Sequence, residues 1–480
     1  MRLRDLADVE DDSEVTGFAI DHRKVTRGNV FGAFKGAMFN GEDFIPGAIE
    51  RGAVAVVARP QAEVGDQAVH LADERPRRLF AQLASKYFAP YPDIVVAVTG
   101  TNGKTSTVEM TRQIWRMLGH RSASIGTLGV TTSDDQVKTG LTTPDIVTFL
   151  SNMAGMKRMG ITHVAYEASS HGLDQYRAEG VPLAAAAFTN FSRDHLDYHP
   201  DMDSYFEAKM RLFDEVIEPG RTAVVWTDDA KSAQVIERAS RRGLELMTVG
   251  RNGETIRLVE QNPSPLGQTL IVEHGGKPYR LALPLIGAYQ ASNVMTAAAL
   301  VLATGGEWSA VFGAMGRVSP VRGRLERAVI SRAGAPVYVD YAHTPDALEA
   351  AIAALRPHVA KAGGGRLITV FGAGGDRDQG KRAPMGEVAA RLSDVVIVTD
   401  DNPRTEDPAK IRAEVLAGAR SVNSGAVEVA GRKEAIARAL EMAAGGDIIL
   451  LAGKGHETGQ IIGTRVLPFD DALVARECAA

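Results

Sequence analysis

Short apolar segments that each run into glycine, aspartate or asparagine recur along this chain and constrain its fold more than any other feature. Examples are "DIVVAV", "HVAYEAS", "RLITVFGAGG", "DVVIVTD" and "DIILLAG", with helical patterns such as "TPDALEAAIAAL" between such segments. A short apolar run bounded by turn residues is typical of a buried strand, and alternating strands and helices favour parallel sheets with crossover helices. The sequence therefore predicts an α/β protein with mixed and parallel sheets flanked by helices. Ligands of such sheets bind beyond the carboxyl ends of the strands.

The distribution of these segments predicts three domains. A chain of 480 residues is long enough for about three domains of ordinary size. Residues 1–88 hold short strand candidates, "NVFGAF" and "AVAVVA", with a helix at "FIPGAIERGA". A second alternation begins near "DIVVAV", a third follows "SPVRGRLE", and the polar stretch 251–280 reads as a smaller β-rich insertion. We predict domains at 1–88, 89–322 and 323–480.

Composition excludes several classes of protein. The net charge is −5, so no basic field favours binding to nucleic acid or to a membrane surface. Cys478 is the only cysteine, which rules out an intrachain disulfide and a cysteine-based zinc site. The start, "MRLRDLADVEDD", is charged and unlike a signal peptide, and no apolar run approaches the length of a membrane span. We expect a soluble, cytoplasmic protein that acts as a monomer, without nucleic-acid or membrane partners.

A glycine-containing loop follows the strand candidate "VVAVT" and precedes a helical segment. Backbone N–H groups of such a loop, together with the helix N-terminus, form an anion site. Lys104 would reach nucleotide phosphates and Thr105 would offer its hydroxyl to Mg²⁺; a glycine-rich turn with an exposed lysine is the alternative. Two residues separate the glycines, where the common phosphate loop has about four, so a generic GTPase or motor is disfavoured. The predicted ATP-binding residues here are Gly100, Thr101, Asn102, Gly103, Lys104, Thr105 and Ser106.

Glu167 and two histidines are candidate metal ligands. Glu167 ends the strand candidate "HVAYE", and Mg²⁺ prefers oxygen ligands; a solvent-exposed glutamate is the alternative. His195 and His199 lie together in "RDHLDYH", and paired histidines beside acids usually indicate zinc. Because the chain has no cysteine for such a site and a phosphate loop in the same region, Mg²⁺ is favoured over zinc.

Lys209 lies in "SYFEAKMRLF", a segment with an amphipathic helical pattern. Considered alone, a lysine at this place is a surface side chain, whose stem covers apolar neighbours while its ammonium stays in water. The residues alone therefore give Lys209 no chemical role.

Arg404 lies in "TDDNPRTEDP", a loop that carries four carboxylates. A solvated charge is the alternative, but the strand candidate "DVVIVTD" delivers this loop to the ligand-binding edge of a parallel sheet. Pro403 restricts its own backbone and biases Asn402 toward an extended conformation, so the loop is predicted to be rigid. A guanidinium held in one direction can grip a carboxylate with two hydrogen bonds.

The order of motifs resembles that of the Mur ligase family. The loop "GTNGKTS" is typical of the superfamily of Mur ligases and folylpolyglutamate synthases. Seven further motifs follow in the family's order: "TTPD", "EASSHGL", "TNFSRDHLDYH", "VDYAHTPDAL", "FGAGGDRDQGKR", "DNPR" and "AGKGHE". The resemblance implies a uridine-nucleotide-binding domain at 1–88, a central phosphate-loop ATPase-like domain at 89–322 and a Rossmann-like, amino-acid-binding domain at 323–480.

The resemblance also implies an activity. Family members that carry "DNPR" use ATP and Mg²⁺ to add meso-diaminopimelate to UDP-MurNAc-L-Ala-D-Glu through an acyl phosphate, in peptidoglycan precursor synthesis. The alternatives are a lysine-adding relative, a folylpolyglutamate synthase, or a phosphate-loop protein that binds ligands without catalysis. The uridine-type segment "DHRKVTRGNVFGAFKG" and the pairing of "TTPD" with "SSHGL" argue against a folate substrate.

The roles that the resemblance implies fall into four groups. Catalysis and metal binding would rest on Lys104, Thr105, Glu167, His195 and Lys209, the last modified by CO₂ to a carbamate. Contacts to UDP-MurNAc-dipeptide would come from His22, Thr142, Thr143, Ser169 and Arg177. Further ATP contacts would come from Asn293, Arg324, Asp340 and His343. Diaminopimelate contacts would come from Arg377, Asp401, Asn402, Pro403, Arg404, Gly453 and Glu457, with Glu457 suited to the distal ammonium.

The chain departs from the family pattern at four places. His22 stands where serine is usual, and Gln290 where asparagine is commoner. Gly431 replaces an acidic residue and Gly459 an aromatic one. None of the four lies in the phosphate loop or among the candidate metal ligands.

Overall fold

The computed structural model describes residues 1–36, 39–133, 135–137, 140–196, 198–264, 266–359 and 364–480. The chain divides into two compact units. The first unit comprises residues 1–256 and 295–311, and the second comprises residues 257–294 and 312–480. The predicted boundaries at 88 and 322 stay a prediction. Among the described residues, no helix is both long enough and apolar enough to span a membrane.

The start of the first unit is a small parallel sheet of order β1-β2-β3-β4. Its strands are β1 Gly17–Ala19, β2 Asn29–Gly32, β3 Ala55–Ala58 and β4 Val69–Ala72. Its helices are α1 Leu3–Leu6, α2 Ile45–Glu50 and α3 Pro76–Phe88, with 3₁₀ turns at His22–Lys24 and Gly41–Phe44. The strands and helix predicted from "NVFGAF", "AVAVVA" and "FIPGAIERGA" are therefore all present.

The rest of the first unit is built on a larger sheet, in which β12, β11, β10, β5, β9, β6, β7 and β8 are neighbours in that order. The strands are β5 Ile94–Thr99, β6 Ser122–Gly126, β7 Gly129–Thr131, β8 Gln136–Val137, β9 His163–Glu167, β10 Ala185–Phe188, β11 Thr222–Trp226 and β12 Glu245–Gly250. The helices are α4 Lys104–Met117, α5 Ile146–Arg158, α6 Ser170–Asp174, α7 Met202–Arg211 and α8 Ser232–Arg241, and Leu212–Val216 forms a π-helical turn.

The central strands of this sheet are parallel and apolar on both faces, as expected for strands covered by crossover helices. β5 pairs in parallel with β9 on one side and with β10 on the other, so their carboxyl ends meet at one edge. Val98 of β5 is the register partner of Glu167, and Thr99 is the partner of Phe188. The residues that follow these three strands are therefore brought together.

The second unit opens with three antiparallel strands, which confirms the β-rich stretch predicted near 251–280. They are β13 Ile256–Ser264, whose first residue belongs to the first unit, β14 Gly267–His274 and β15 Lys277–Leu283. Helix α9 Tyr289–Ala303 begins in the second unit and ends in the first, and α10 Trp308–Met315 runs back into the second.

A six-stranded sheet of order β16-β17-β21-β18-β19-β20 forms the core of the second unit. Its strands are β16 Glu326–Ile330, β17 Pro336–Asp340, β18 Leu367–Phe371, β19 Val395–Val398, β20 Val427–Glu428 and β21 Ile448–Ala452. Helices α11 Pro345–Leu355, α12 Arg382–Leu392, α13 Pro408–Val422, α14 Arg432–Met442 and α15 Asp471–Ala479 accompany it, with 3₁₀ turns at Arg356–His358 and Gln379–Lys381. The hairpin β22 Gly459–Ile462 and β23 Arg465–Pro468 stands apart as a two-stranded sheet.

Apolar clusters on both faces of this sheet explain why its strands read as continuous hydrophobic runs. Leu450 and Phe371 pack in one cluster, while Ile449 and Val370 pack in the other. All pairings are parallel except that of β16 with β17. The α/β prediction, with mixed and parallel sheets flanked by helices, is confirmed.

Candidate active site

The loop between β5 and α4 is hydrogen-bonded to residues that follow β10. The backbone N–H of Asn102 donates to Oδ1 of Asn190 over 2.8 Å, and the hydroxyl of Thr189 donates to the Asn102 carbonyl over 2.6 Å. Gly100 has φ of +142°, and a Cβ there would collide with the Thr189 hydroxyl. Glycine is therefore required where the loop passes β10, and the loop leads directly into the N-terminus of α4, which suits an anion.

Lys104 is the first residue of α4, and its side chain curls back over the loop. Its Nζ donates to the carbonyl oxygens of Gly100 and Thr101 over 2.9 and 2.7 Å. The ammonium therefore lies against the backbone of the anion site, where it would meet phosphate oxygens. This geometry argues against the alternative of an exposed lysine on a glycine-rich turn.

Lys209 is buried in the same place, with 1% of its surface exposed. Its Nζ donates to the Gly100 carbonyl over 2.8 Å and lies 4.3 Å from the centre of the Tyr205 ring. Burial, and then the neighbouring charge of Lys104, hold the pKa of the Lys209 amine well below its ordinary value. The interpretation of Lys209 as a surface side chain is wrong, because the helical pattern of α7 does not show what covers each of its faces.

Glu167 ends β9 beside the phosphate loop and is 2% exposed, so the solvent-exposed alternative is wrong. One carboxylate oxygen accepts the Thr127 N–H over 2.7 Å, and the other accepts the Thr127 hydroxyl over 3.2 Å. A buried carboxylate at the carboxyl end of a central strand is a suitable hard ligand for Mg²⁺.

His195 lies in the loop after β10 with φ of +53°, a left-handed conformation that is uncommon outside glycine. Its Nε2 is 3.5 Å from a carboxylate oxygen of Asp194, and its ring lies 4.8 Å from that of His171. Asp197 of the same motif falls outside the described residues. Within the ranges given above, no group of three or more His, Cys, Asp or Glu side chains could hold a metal ion. The hydroxyl of Thr105 and the carboxylate of Glu167 are oxygen donors of the kind that Mg²⁺ prefers.

Four residues predicted to contact the nucleotide-linked substrate converge beside Glu167. The Thr143 hydroxyl donates to the Glu167 carbonyl over 2.8 Å and lies 2.9 Å from that of Ser169. Arg177 donates to the Thr143 carbonyl over 3.4 Å. The Thr142 hydroxyl lies 3.1 Å from that of Thr127, which itself contacts Glu167. The fifth predicted residue, His22, lies on the 3₁₀ turn after β1 and stacks on Phe44 with ring centres 4.6 Å apart.

In the second unit, the predicted ATP contacts surround the end of β17. The buried carboxylate of Asp340 accepts backbone N–H groups of Leu325 and Ala342 over 2.8 and 2.9 Å, and burial raises its pKa. Arg324 lies 5.0 Å from the centre of the Tyr341 ring. His343 bonds the Tyr341 carbonyl over 2.9 Å, and burial lowers its pKa.

The remaining ATP candidate, Asn293, is tied to the same segment through a residue that departs from the family pattern. Its side-chain amide donates to Oε1 of Gln290 over 3.0 Å. Gln290 donates in turn to the Arg324 carbonyl over 3.2 Å. The longer glutamine therefore still links α9 to the Arg324 segment.

Arg404 is half-buried, and the hairpin that follows β21 forms hydrogen bonds with both its backbone N–H and its backbone carbonyl. Its N–H donates to the Ile461 carbonyl over 3.0 Å, and its carbonyl accepts the Gly463 N–H over 2.6 Å. Its guanidinium donates to the Gly375 carbonyl over 2.6 Å. Arg404 has φ of +52°, and because its backbone and its guanidinium are all hydrogen-bonded to other loops, the freely solvated alternative is wrong.

Two loops of the six-stranded sheet lie in direct contact beside Arg404. Gly375 donates its N–H to the Asn402 carbonyl over 2.9 Å, and a Cβ on Gly375 would collide with the Pro403 carbonyl. Arg377 belongs to the same loop as Gly375 and is exposed. These loops follow β18 and β19, which are neighbours in the sheet.

The diaminopimelate candidates at the ends of β19 and β21 also meet. Asn402, which is 3% exposed, donates its amide to Oε2 of Glu457 over 2.8 Å. Asp401 is buried, and its carbonyl accepts Gln460 over 2.7 Å. Gly453, directly after β21, donates its N–H to the Asp340 carbonyl over 3.1 Å.

Three residues of these clusters were not predicted from the sequence. Asn190 holds the phosphate loop, and Gln175 accepts two hydrogen bonds from Arg177, over 3.1 and 2.6 Å. Lys454 is fully buried between Asn402 and Glu457. Asn190 and Lys454 lie inside the motifs "TNFSRDHLDYH" and "AGKGHE", and Gln175 comes two residues after "EASSHGL". Their position in or beside these motifs is the one feature of the sequence that could have marked them as site residues.

Comparison with known proteins gives matches along most of the chain. Family models match residues 14–88 (Mur ligase family, catalytic domain), 98–301 (Mur ligase middle domain) and 323–455 (Mur ligase, glutamate ligase domain). A curated relative from Zymomonas mobilis subsp. mobilis, UDP-N-acetylmuramoyl-L-alanyl-D-glutamate–2,6-diaminopimelate ligase, is 56% identical over 476 residues, 98% of this chain and 96% of its own. A relative of the same name from Bradyrhizobium diazoefficiens is 50% identical, covering 95% and 93%.

A solved structure of a UDP-N-acetylmuramoyl-L-alanyl-D-glutamate–2,6-diaminopimelate ligase matches with a TM-score of 0.74 and 30% identity. The match covers 100% of this chain and 98% of that one. Similarity in sequence and in fold therefore extends over the whole chain.

Proposed function

The chain belongs to the Mur ligase family of ATP-dependent ligases, and we propose that it adds meso-diaminopimelate to UDP-MurNAc-L-Ala-D-Glu in peptidoglycan precursor synthesis. Two curated relatives that are named for that activity match this chain at 56% and 50% identity, and each match covers nearly the full length of the relative. This support favours it over a lysine-adding ligase, a folylpolyglutamate synthase or a non-catalytic binder.

The observation that carries the amino-acid specificity is the position of Arg404. The loop after β19 is hydrogen-bonded to the β22–β23 hairpin on one side and to the Gly375 loop on the other. A guanidinium held in this way can take the distal carboxylate of diaminopimelate with two hydrogen bonds. Glu457, joined to Asn402 across the neighbouring loop, would take the distal ammonium. Lysine has that ammonium but lacks the carboxylate, so it would leave Arg404 without its ligand.

The first chemical step activates the carboxylate. A carboxylate oxygen of the D-Glu side chain attacks the γ-phosphorus of ATP, the bond to the β-γ bridging oxygen breaks, and ADP leaves. Charge builds on the phosphoryl oxygens during such a transfer, so positioning and charge neutralisation supply most of the catalysis. Lys104 and the backbone N–H groups at the start of α4 would contribute both.

The proposed Mg²⁺ ligands are mostly oxygen donors, which suit this metal. The Thr105 hydroxyl, the Glu167 carboxylate and His195 would hold the metal, together with a carbamate on Lys209. Carbamate formation joins the Lys209 nitrogen to the carbon of CO₂ and releases a proton, which requires the neutral amine that burial favours. Magnesium supplies charge neutralisation for the transferred phosphoryl group.

The second step forms the amide. The amine of diaminopimelate, having lost a proton, attacks the acyl carbon, and the tetrahedral intermediate collapses with phosphate as the leaving group. Thr142, Thr143, Ser169 and Arg177, with His22, would orient the nucleotide-linked substrate, so that its carboxylate keeps one position through both steps. We propose that the chain works as a monomer in the cytoplasm, where ATP and nucleotide-linked substrates are found.

The decisive assay for this function measures release of ADP from ATP by the purified chain. We expect release only when UDP-MurNAc-L-Ala-D-Glu, meso-diaminopimelate and Mg²⁺ are all present, with one amide formed for each ADP. ADP release that is independent of the amine, or no release at all, would contradict ligation and favour a hydrolase or a binding protein.

A further inference from the structure

A buried lysine closes a three-membered cluster at the proposed amino-acid site. Lys454 follows β21 and none of its surface is exposed. Its Nζ donates to Oδ1 of Asn402 over 3.0 Å and to Oε2 of Glu457 over 2.9 Å. Asn402 donates to the same Oε2 over 2.8 Å, so each of the three side chains contacts the other two.

The cluster joins three segments of the chain. Asn402 comes from the loop after β19, and Lys454 and Glu457 from the loop after β21. Oδ1 of Asn402 also accepts the N–H of Ile461 in β22 over 3.0 Å. The neighbouring carbonyl, of Ile461 itself, accepts the N–H of Arg404. Lys454 is therefore connected through its two partners to both side chains proposed to recognise the distal end of diaminopimelate.

The side chain of Glu457 is 31% exposed, whereas that of Lys454 is 0% exposed. Oε2 of Glu457 is held by two donors from inside the protein. With Oε2 fixed on the protein side, Oε1 is the oxygen that we expect a ligand ammonium to meet. Hydrogen bonds between ionised groups are short and strong, so they fix the direction of the carboxylate.

We propose that Lys454 is a positioning residue for the amino-acid substrate, acting through Glu457 and Asn402. The inference rests on the proposed function, because it assumes that Glu457 meets the distal ammonium. Lys454 is itself too deeply buried to touch the substrate. Removing one partner of a buried charged pair leaves the other uncompensated, so without Lys454 the carboxylate of Glu457 would turn to other donors and lose its fixed direction.

The test is a double-mutant cycle on Lys454→Met and Glu457→Gln, measured by steady-state kinetics. Lys454→Met is expected to raise the KM for meso-diaminopimelate by about tenfold or more, which corresponds to ~1.4 kcal/mol. The KM values for ATP and UDP-MurNAc-L-Ala-D-Glu are expected to stay within about twofold, because a local effect leaves the other substrates alone. The double variant is expected to be no worse than Glu457→Gln, because coupled residues are not additive.

Two further variants keep the result interpretable. Lys433→Met removes an exposed lysine that pairs with Glu477 over 3.1 Å in the same unit, and it is expected to leave every KM unchanged. If Lys454→Met does not fold, as judged by its thermal unfolding, Lys454→Gln carries the same test with a smaller change in polarity.

The outcomes separate this inference from the proposed function. A wild-type chain without diaminopimelate-dependent ADP release would defeat the proposed function. A wild-type chain that ligates diaminopimelate, alongside a folded Lys454 variant with an unchanged KM for it, would overturn the positioning role alone. Effects of Lys454→Met and Glu457→Gln that multiply in the double variant would also overturn it, because independent sites add in free energy.

Discussion

The side-chain nitrogens of Lys104 and Lys209 donate to one acceptor, the carbonyl oxygen of Gly100, over 2.9 and 2.8 Å. Two protonated amines at one oxygen would repel each other, and Lys209 is the more deeply buried. Its pKa is lowered by burial and by Lys104. The lowered pKa of Lys209 raises the share of its neutral amine, the form that can react with CO₂.

Replacing Lys104 by alanine should abolish ligation and leave the fold intact. The ammonium contacts loop carbonyls and would meet phosphate oxygens, so its loss removes charge neutralisation rather than core packing. ADP release and thermal unfolding measure the two effects. Lys157→Ala, which removes an ion pair with Asp93 on the surface of the same unit, is the control with normal turnover. Near-normal turnover in a folded Lys104→Ala protein would rule out the phosphate assignment.

Replacing Lys209 by alanine should also inactivate the enzyme, but through loss of an anionic ligand. The alanine variant leaves a small space beside Gly100, and a short carboxylic acid such as formate or acetate would supply oxygen donors there. We expect partial recovery of ADP release with added formate and none for Lys104→Ala. In the wild type, ¹³CO₂ should give a carbamate signal that the variant lacks. Full activity of Lys209→Ala without any additive is incompatible with the carbamate.

Replacing Arg404 by alanine should impair the use of diaminopimelate and little else. The guanidinium contacts the Gly375 carbonyl, so the fold loses one hydrogen bond, worth about 1 kcal/mol. The loss of a carboxylate contact in the bound state is larger, about 2–4 kcal/mol, because the charge of the ligand is then left unpaired. We expect kcat/KM for diaminopimelate to fall about 30-fold or more, with KM for ATP unchanged. A parallel rise in the KM for ATP would show that the loop has a different role.

His163 should make stability depend on pH. It starts β9, is 8% exposed and stacks on His120 with ring centres 4.1 Å apart. Burial, and then His120, lower the pKa of His163 to about 4 from 6.5. Between these values the unfolded chain binds more protons, so stability is full above pH 6.5 and is lost as the pH falls toward 4.

The size of this effect can be measured by urea unfolding at pH 7 and pH 5. Linkage gives a loss of about 2 kcal/mol between the two from His163 alone. His163→Asn should lose correspondingly less stability over that interval, whatever its stability at pH 7. Equal losses in the two proteins would show that His163 titrates normally.

The sequence predicted those site residues that lie at the carboxyl ends of buried strands. Glu167 and Asp340 are each the last residue of an apolar run, and in the structure each closes a buried parallel strand. Within each sheet, parallel pairing brings the residues that follow neighbouring strands to one edge, so the clustering seen inside each unit follows from the topology.

The parts that the sequence left open depend on tertiary contacts. The helical pattern of α7 shows on which face of the helix Lys209 lies, but it does not show that Gly100 packs against that face. The left-handed backbone of Arg404 depends on Ile461 and Gly463, which are distant in sequence and come together only in the folded second unit. Lys454 lay inside a recognised motif, yet its burial follows from the approach of Asn402.

The amino-acid specificity tests the central claim most directly. The experiment supplies the purified wild-type chain with UDP-MurNAc-L-Ala-D-Glu, ATP and Mg²⁺, and with either meso-diaminopimelate or L-lysine. The kcat/KM values for the two amino acids are measured from ADP release and compared. A site that leaves a buried polar group unpaired with the wrong substrate can discriminate by ~10⁴ or more, and we expect a preference for diaminopimelate of that order. Equal efficiency with lysine would contradict the role of Arg404 and the function built on it.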